Sequence, residues 1–150
     1  MTGASRAQSY DLASAIAACR LQGAQITPLR ERVLGILWKA AHPLGAYEIR
    51  KELSQLEGRN ISAPTIYRTL EFLGAHGAVH RIESRNAFVA CRHPQSEQAC
   101  ILFVCDSCGL SSEIRNRKFE RLLEADARSL GFAIDHRVLE LSGSCVDCRG

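Results

Sequence analysis

A chain of 150 residues with 46% hydrophobic side chains has enough apolar material for a packed core, which excludes an intrinsically disordered protein. No apolar run is long enough to cross a bilayer, and the polar segment 1–10 lacks the apolar centre of a secretion signal, so a cytoplasmic protein is expected. The net charge of +3 is uneven: residues 1–90 carry 11 Lys+Arg against 7 Asp+Glu, and residues 91–150 carry 8 against 9, which makes the first part the better face for a polyanion.

Residues 11–21 read as a helix, with Leu12, Ala15, Ile16 and Cys19 at helical spacing. Cys19 lies on that stripe and is assigned to the core, as a free cysteine packs like a small hydrophobe. Thr27-Pro28 opens a second helix, threonine as N-cap and proline in the first turn. Val33, Leu34, Ile36, Leu37 and Trp38 give it a broad apolar face, and His42-Pro43-Leu44-Gly45 breaks it. A third helix is expected over 46–56. Ser62 caps a fourth, with Pro64 in its first turn and Ile66, Leu70 and Leu73 on one side. Thr65, Tyr67, Arg68 and Glu71 fall on its other faces, and Gly74 and Gly77 close it.

Short helices joined by tight turns, the last presenting Thr65, Tyr67 and Arg68 near its start, fit a helix-turn-helix. Residues 78–83 alternate, Ser84-Arg85-Asn86 turns, and residues 87–90 return, which reads as a β-hairpin. A hairpin after a recognition helix makes a winged helix. Arg81 and Arg85 put positive charge on the wing, where it suits phosphate contacts that fix register. Arg68 is the choice for a base contact, because a guanidinium pairs two ways with guanine.

From Cys91 the composition changes, and the polar stretch to Gln98 reads as a linker. Residues 101–104 form a short apolar strand, residues 115–130 an amphipathic helix capped by Gly131, and residues 133–141 a second strand. Ser142-Gly143-Ser144 reads as a turn, so this part is expected to be a small β-α-β unit. The strands deliver two cysteine pairs, Cys105/Cys108 and Cys145/Cys148, separated by the 36 residues 109–144. Each pair presents two sulfurs from one side, and two pairs complete the tetrahedral shell of a structural zinc. Such a chain in a reducing compartment uses cysteines as thiols and metal ligands rather than as disulfides. A unit of about 55 residues hardly buries a core alone, so metal and a partner subunit are expected to support it.

Taken together, the winged helix with Ser62-Ala63-Pro64-Thr65-Ile66-Tyr67-Arg68-Thr69-Leu70, the motif Cys105-Asp106-Ser107-Cys108-Gly109, the run His136-Arg137-Val138-Leu139-Glu140 and the closing Cys145-Val146-Asp147-Cys148 resemble the ferric uptake regulator family of metal-dependent bacterial repressors. The resemblance runs from about Thr27 to Cys148, and within the family it is greatest to the zinc uptake regulator branch. It implies an α+β protein: a winged-helix DNA-binding domain over 1–90, a hinge over 91–98, and a small α/β dimerisation domain with the four-cysteine zinc site over 99–150.

The resemblance also implies a second, regulatory zinc, giving two per subunit. His80 at the wing, Cys91 at the seam and Glu113 after the first cysteine pair match its ligands. The branch usually has a histidine shortly before that pair, where this chain has Gln98 and Cys100. The role is therefore carried to His93, with Glu97 and Cys100 as alternatives. A thiolate among the donors suits zinc, and the histidine-rich run of the iron sensors is missing. His136 matches a ligand of a further site in some relatives and is expected to be structural or auxiliary; His76 is expected at the surface.

The function implied is repression of zinc uptake genes by a homodimer on a palindromic double-stranded operator, with no membrane or small-molecule substrate involved. Alternatives are an iron-, manganese- or peroxide-responsive regulator of the same family, a thiol redox switch on Cys91 and Cys100, or an enzyme with Cys91 as nucleophile and His80 or His93 as base. The last lacks any oxyanion-type glycine loop, so no enzyme is expected.

Overall fold

The computed structural model describes residues 11–94, 98–135 and 138–150, and the chain divides into two compact units, Met1–Gln95 and Ser96–Gly150. His136 and Glu97 lie outside the described residues. Among those described, no helix is long and apolar enough to cross a membrane.

In the first unit each helix starts where a side chain can satisfy its orphan amides. Helix α1 (Leu12–Leu21) is capped by Asp11, whose carboxylate accepts from the Ser14 amide at 2.7 Å. Helix α2 (Pro28–Lys39) is capped by Thr27, which accepts from the Arg30 amide at 3.3 Å. The two-residue strand β1 (Leu44–Gly45) leads straight into α3 (Ala46–Glu57), where the Glu48 carboxylate accepts from the Gly45 amide at 2.8 Å. Gly58 ends α3 at φ +65°, a conformation that favours glycine. Helix α4 (Ala63–Ala75) begins at Ser62, whose hydroxyl accepts from the Thr65 amide at 3.3 Å.

Strands β2 (Val79–Ile82) and β3 (Ala87–Ala90) are joined by a 3-10 turn at Glu83–Arg85, and Asn86 takes the left-handed conformation. All pairings in this sheet are antiparallel, in the order β1–β3–β2. Helices α2, α3 and α4 pack on one another and α2 also meets β3. Their shared core includes Val33, Leu34, Ile49, Leu53, Ile66 and Leu73, together with Cys19. Each fully buried leucine or isoleucine here contributes about 1.5–3 kcal/mol.

The expected winged helix is therefore present, with three local differences. Strand β1 falls in a segment read as a helix breaker, because two residues suffice to add an edge to the wing. Helix α4 continues through Gly74, and the stop comes at Gly77, where φ is +70°. His76 is half-buried rather than at the surface: its Nδ1 lies 2.9 Å from the Phe72 carbonyl oxygen and its ring packs on Phe72, 4.2 Å between centroids.

The second unit contains β4 (Cys100–Cys105), β5 (Ser111–Arg115), α5 (Arg117–Ser129) and β6 (Val138–Gly143). Strand β4 is central, antiparallel to β5 and parallel to β6. The parallel pairing needs a long crossover, which the segment carrying α5 supplies. The expected β-α-β unit thus becomes β-β-α-β. Strand β5 escapes a reading by hydrophobicity because Ile114 is its one apolar residue. Helix α5 starts at Arg117, not at 115, because Asn116 caps it by accepting from the Phe119 amide at 3.1 Å. Ser142 and Gly143 belong to β6 rather than to a turn.

Candidate metal centres and nucleic-acid interface

The two cysteine pairs meet in the second unit. Cys105 ends β4 and Cys145 follows β6, and because those strands are parallel neighbours both turns start from the same end of the sheet. The first turn closes through Gly109, whose amide donates to the Cys105 carbonyl at 2.9 Å and whose φ is +76°. The second closes through amides of Cys148 and Arg149, both donating to the Cys145 carbonyl, at 3.1 and 3.0 Å. A further amide, from Asp106 to the Gly143 carbonyl at 2.8 Å, ties the first turn to β6.

One sulfur from each of Cys105, Cys108, Cys145 and Cys148 lies within 4.8 Å of the others. Thiolates about 2.3 Å from a tetrahedral zinc stand about 3.8 Å apart, and Cys108 and Cys145 sulfurs are 3.7 Å apart. The four donors therefore fit zinc in number, chemistry and spacing. All are free thiols. Amides of Cys108 and then Cys145 bring the Cys105 thiol down to about 6. Hydrogen bonding to Cys145, Cys108 and Cys105 pushes Cys148 up to about 12. Cys108 is pulled down by the Leu110 amide, but its contact with Cys105, burial and Cys145 outweigh that and raise it. One thiolate is thus preformed, and the cluster holds protons that a cation would displace.

The other candidate donors divide between the units. In the first, the register Val79↔Ala90 continues through the Cys91 amide, which donates to the Ala78 carbonyl at 2.8 Å. Residues two apart share a strand face, and directly opposed residues do too. Cys91 therefore stands diagonally across from His80 on one face of the hairpin. Cys91 is buried, while His80 and His93 are half-buried.

In the second unit, Cys100 faces Arg115 and Leu102 faces Glu113 across β4 and β5, so Cys100 and Glu113 share a sheet face. Ligand atoms of Cys100 and Glu113 lie within 4.8 Å of each other. Sequence reasoning missed Arg115, which grips Glu113 at 2.8 Å, with both side chains nearly inaccessible at 13% and 8% exposure. Arg115 also donates to the Gln98 carbonyl at 2.5 Å, which pins the chain just ahead of Cys100. The alternating Glu113-Ile114-Arg115 pattern was the signal, legible only once β5 is recognised as a strand.

Helix α4 buries Ile66, Thr69, Leu70 and Leu73, which leaves Tyr67 and Arg68 exposed. Thr65 is half-buried and its hydroxyl lies 2.7 Å from that of Ser62, so it serves the helix cap as well as the outer face. On the wing, Arg81 donates to the Asn86 side chain at 2.9 Å and lies 3.5 Å from Glu83. Arg85 is exposed at the hairpin tip. A pocket in front of the α3–α4 turn, about 560 Å³, is lined by Tyr47, Arg50, Lys51, Arg59 and Asn60. Arg50 is fixed there by donating to the Ile61 carbonyl at 2.6 Å. This cationic rim on α3 and the turn after it was not singled out from sequence.

The sequence model of the ferric uptake regulator family matches residues 21–142. The zinc uptake regulation protein of Escherichia coli strain K12 is 33% identical over 138 residues, covering 91% of this chain and 80% of the relative. The ferric uptake regulation protein of Brucella abortus strain 2308 is 37% identical over 125 residues, covering 81% and 85%. Among solved structures, a zinc uptake regulator complexed with zinc and DNA matches with a TM-score of 0.83 at 33% identity, covering 92% of each chain. Holo XcZur matches with a TM-score of 0.78 at 37% identity, covering 93% of this chain and 99% of that one.

Proposed function

The chain belongs to the ferric uptake regulator family, a family of transcription regulators and not of enzymes, and from that premise we propose that it is a zinc-responsive transcriptional repressor. Two zinc ions serve each subunit. The first, held by Cys105, Cys108, Cys145 and Cys148, is structural. The second is regulatory and takes His80, Cys91 and Glu113, with a further donor from the segment joining the units, where His93, Glu97 and Cys100 are the candidates.

The observation that carries the zinc reading is the pairing of Cys91 with His80 on one hairpin face. A thiolate beside imidazole and carboxylate suits zinc, whereas oxygen and nitrogen donors suit iron and manganese. That weighs against an iron sensor, despite the 37% identity to a ferric regulator. The relatives named for zinc uptake, and the one solved with zinc and DNA, support the same conclusion.

The mechanism proposed is selection of one pose. His80 and Cys91 come from the DNA-binding unit and Glu113 from the other, so a shared ion stabilises the relative orientations that let all of them reach it. The exposed Phe103, Ile114 and Leu141 on one face of the second sheet support a homodimer that covers them. Two α4 helices then enter successive major grooves of a palindrome, with Arg68 and Tyr67 at base edges, Thr65 at the helix start, and Arg81 and Arg85 on phosphates. By linkage, DNA tightens the regulatory zinc by the factor with which zinc tightens DNA binding. The genes repressed are those for zinc uptake.

The test is a pair of variants. His80→Ala and Cys91→Ser are expected to keep one zinc per subunit and the dimer, and to lose zinc-stimulated operator binding. Variants that bind the operator like the unaltered protein would rule out the regulatory assignment.

A further inference from the structure

Cys100 is buried at 1% exposure, on the same face of β4 as the buried Leu102 and Val104, and that face also carries two charged side chains. The strand register puts it on the face that carries Leu102, Glu113 and Arg115. Its sulfur and a Glu113 carboxylate oxygen lie within 4.8 Å of one another, a separation that one cation can span. A soft donor and a carboxylate held together on two hydrogen-bonded strands form a chelating pair whose geometry the sheet fixes in advance.

The surroundings fit a metal with two thiolates. Cys91, Cys100 and Glu113 as anions, His80 neutral and a divalent cation leave a formal charge of −1. Arg115 supplies the balancing positive charge, 2.8 Å from Glu113, in a position shielded from water. The same guanidinium holds the Gln98 carbonyl at 2.5 Å, two residues before Cys100, and so positions both members of the pair.

We propose that Cys100, and not His93, is the donor that completes the regulatory zinc site, making it a two-thiolate site of Cys91, Cys100, His80 and Glu113 with Arg115 as a positioning residue. The inference rests on the regulatory site proposed above and specifies its donor set. It gives the site a softer character than a single thiolate would, which favours zinc over iron and manganese more strongly. Binding the ion takes two thiols to thiolates, with the protons released to solvent and no change in oxidation state.

The test uses the full-length protein with zinc retained in the four-cysteine site and cobalt(II) added to the second site. Thiolate-to-cobalt charge-transfer absorption counts the sulfurs bound. The unaltered protein is expected to show a band of two-thiolate intensity. Cys100→Ser and Cys91→Ser should each bind cobalt far more weakly, leaving the second site empty at stoichiometric metal, and at saturating cobalt should each leave about half of the band; His93→Ala should leave it intact. Cys100→His keeps a donor at the position and guards against a folding defect: it should bind cobalt with half the band and one structural zinc per subunit. Arg115→Gln should weaken cobalt binding without changing the band per bound ion. A full band in Cys100→His, or loss of cobalt binding in His93→Ala with Cys100→Ser unaffected, would overturn the assignment of Cys100. Unaltered cobalt binding in both His80→Ala and Cys91→Ser would instead overturn the regulatory site itself.

Discussion

Leu34, Ile49, Leu53, Ile66 and Leu73 in the first unit each keep less than 2% of their surface. In the second unit Phe103, Ile114 and Leu141 keep 44%, 40% and 48%, and along α5 the one buried residue is Ala127. The first unit is stabilised by hydrophobic burial within one subunit. The second is a thin sheet clamped at one end by four thiols, with apolar surface left for a partner to cover. On the proposed reading, stability in the second half depends on metal and association, the two quantities such a regulator has to link to DNA binding.

The largest effect expected separates the two units by metal removal. Cys148→Ser, or chelation, removes a contribution on the order of 10 kcal/mol, more than the whole stability of a small domain. The second unit should unfold and the dimer dissociate, while the helices of the first unit melt near their original temperature. Circular dichroism and gel filtration would check this; simultaneous melting of both units would erase the distinction. In the opposite direction, Leu53→Ala should cost about 2–5 kcal/mol in the first unit and leave structural zinc content unchanged.

A smaller effect tests the exposed sheet face. Phe103→Glu should weaken dimerisation by about 2 kcal/mol or more and keep the four-thiol cluster, as followed by sedimentation and zinc analysis. Arg68→Ala should cost about 1–3 kcal/mol of discrimination between operator and random DNA. Arg85→Ala should lower affinity evenly across sequences and flatten the salt dependence by about one ion.

The smallest effect is one of pH. The Cys105 thiolate, set at about 6, is present above that pH and lost as pH falls through it. Cys108 and Cys148, both raised, keep their protons at neutral pH until metal displaces them. Zinc loading at pH 7 should release those protons, and competition for the structural zinc by a chelator should become easier as pH falls.

What was legible from sequence follows from how local each signal is. A cysteine pair two residues apart is its own motif, so the four cysteines whose sulfurs lie within 4.8 Å of one another could be named before any fold was known. The caps Thr27 and Ser62 act within three residues and set the starts of α2 and α4 as expected, whereas Asp11, expected inside α1, caps it instead. Strand β5 was not legible, because its inward positions Glu113 and Arg115 are charged and satisfy each other. Without β5 there is no register, and without register Cys100 remained one of three alternatives rather than the neighbour of Glu113. Thr65 was read as an outward polar residue; its bond to Ser62 belongs to cap geometry, which depends on the backbone as much as on residue type.

The central claim is that an ion shared by the two units sets the pose that grips DNA. Operator binding titrated against buffered free zinc, with metal content measured at each point, tests it most directly. The account predicts that dimers holding one zinc per subunit bind weakly, and that affinity rises as the second zinc fills. Full operator affinity at one zinc per subunit would contradict it.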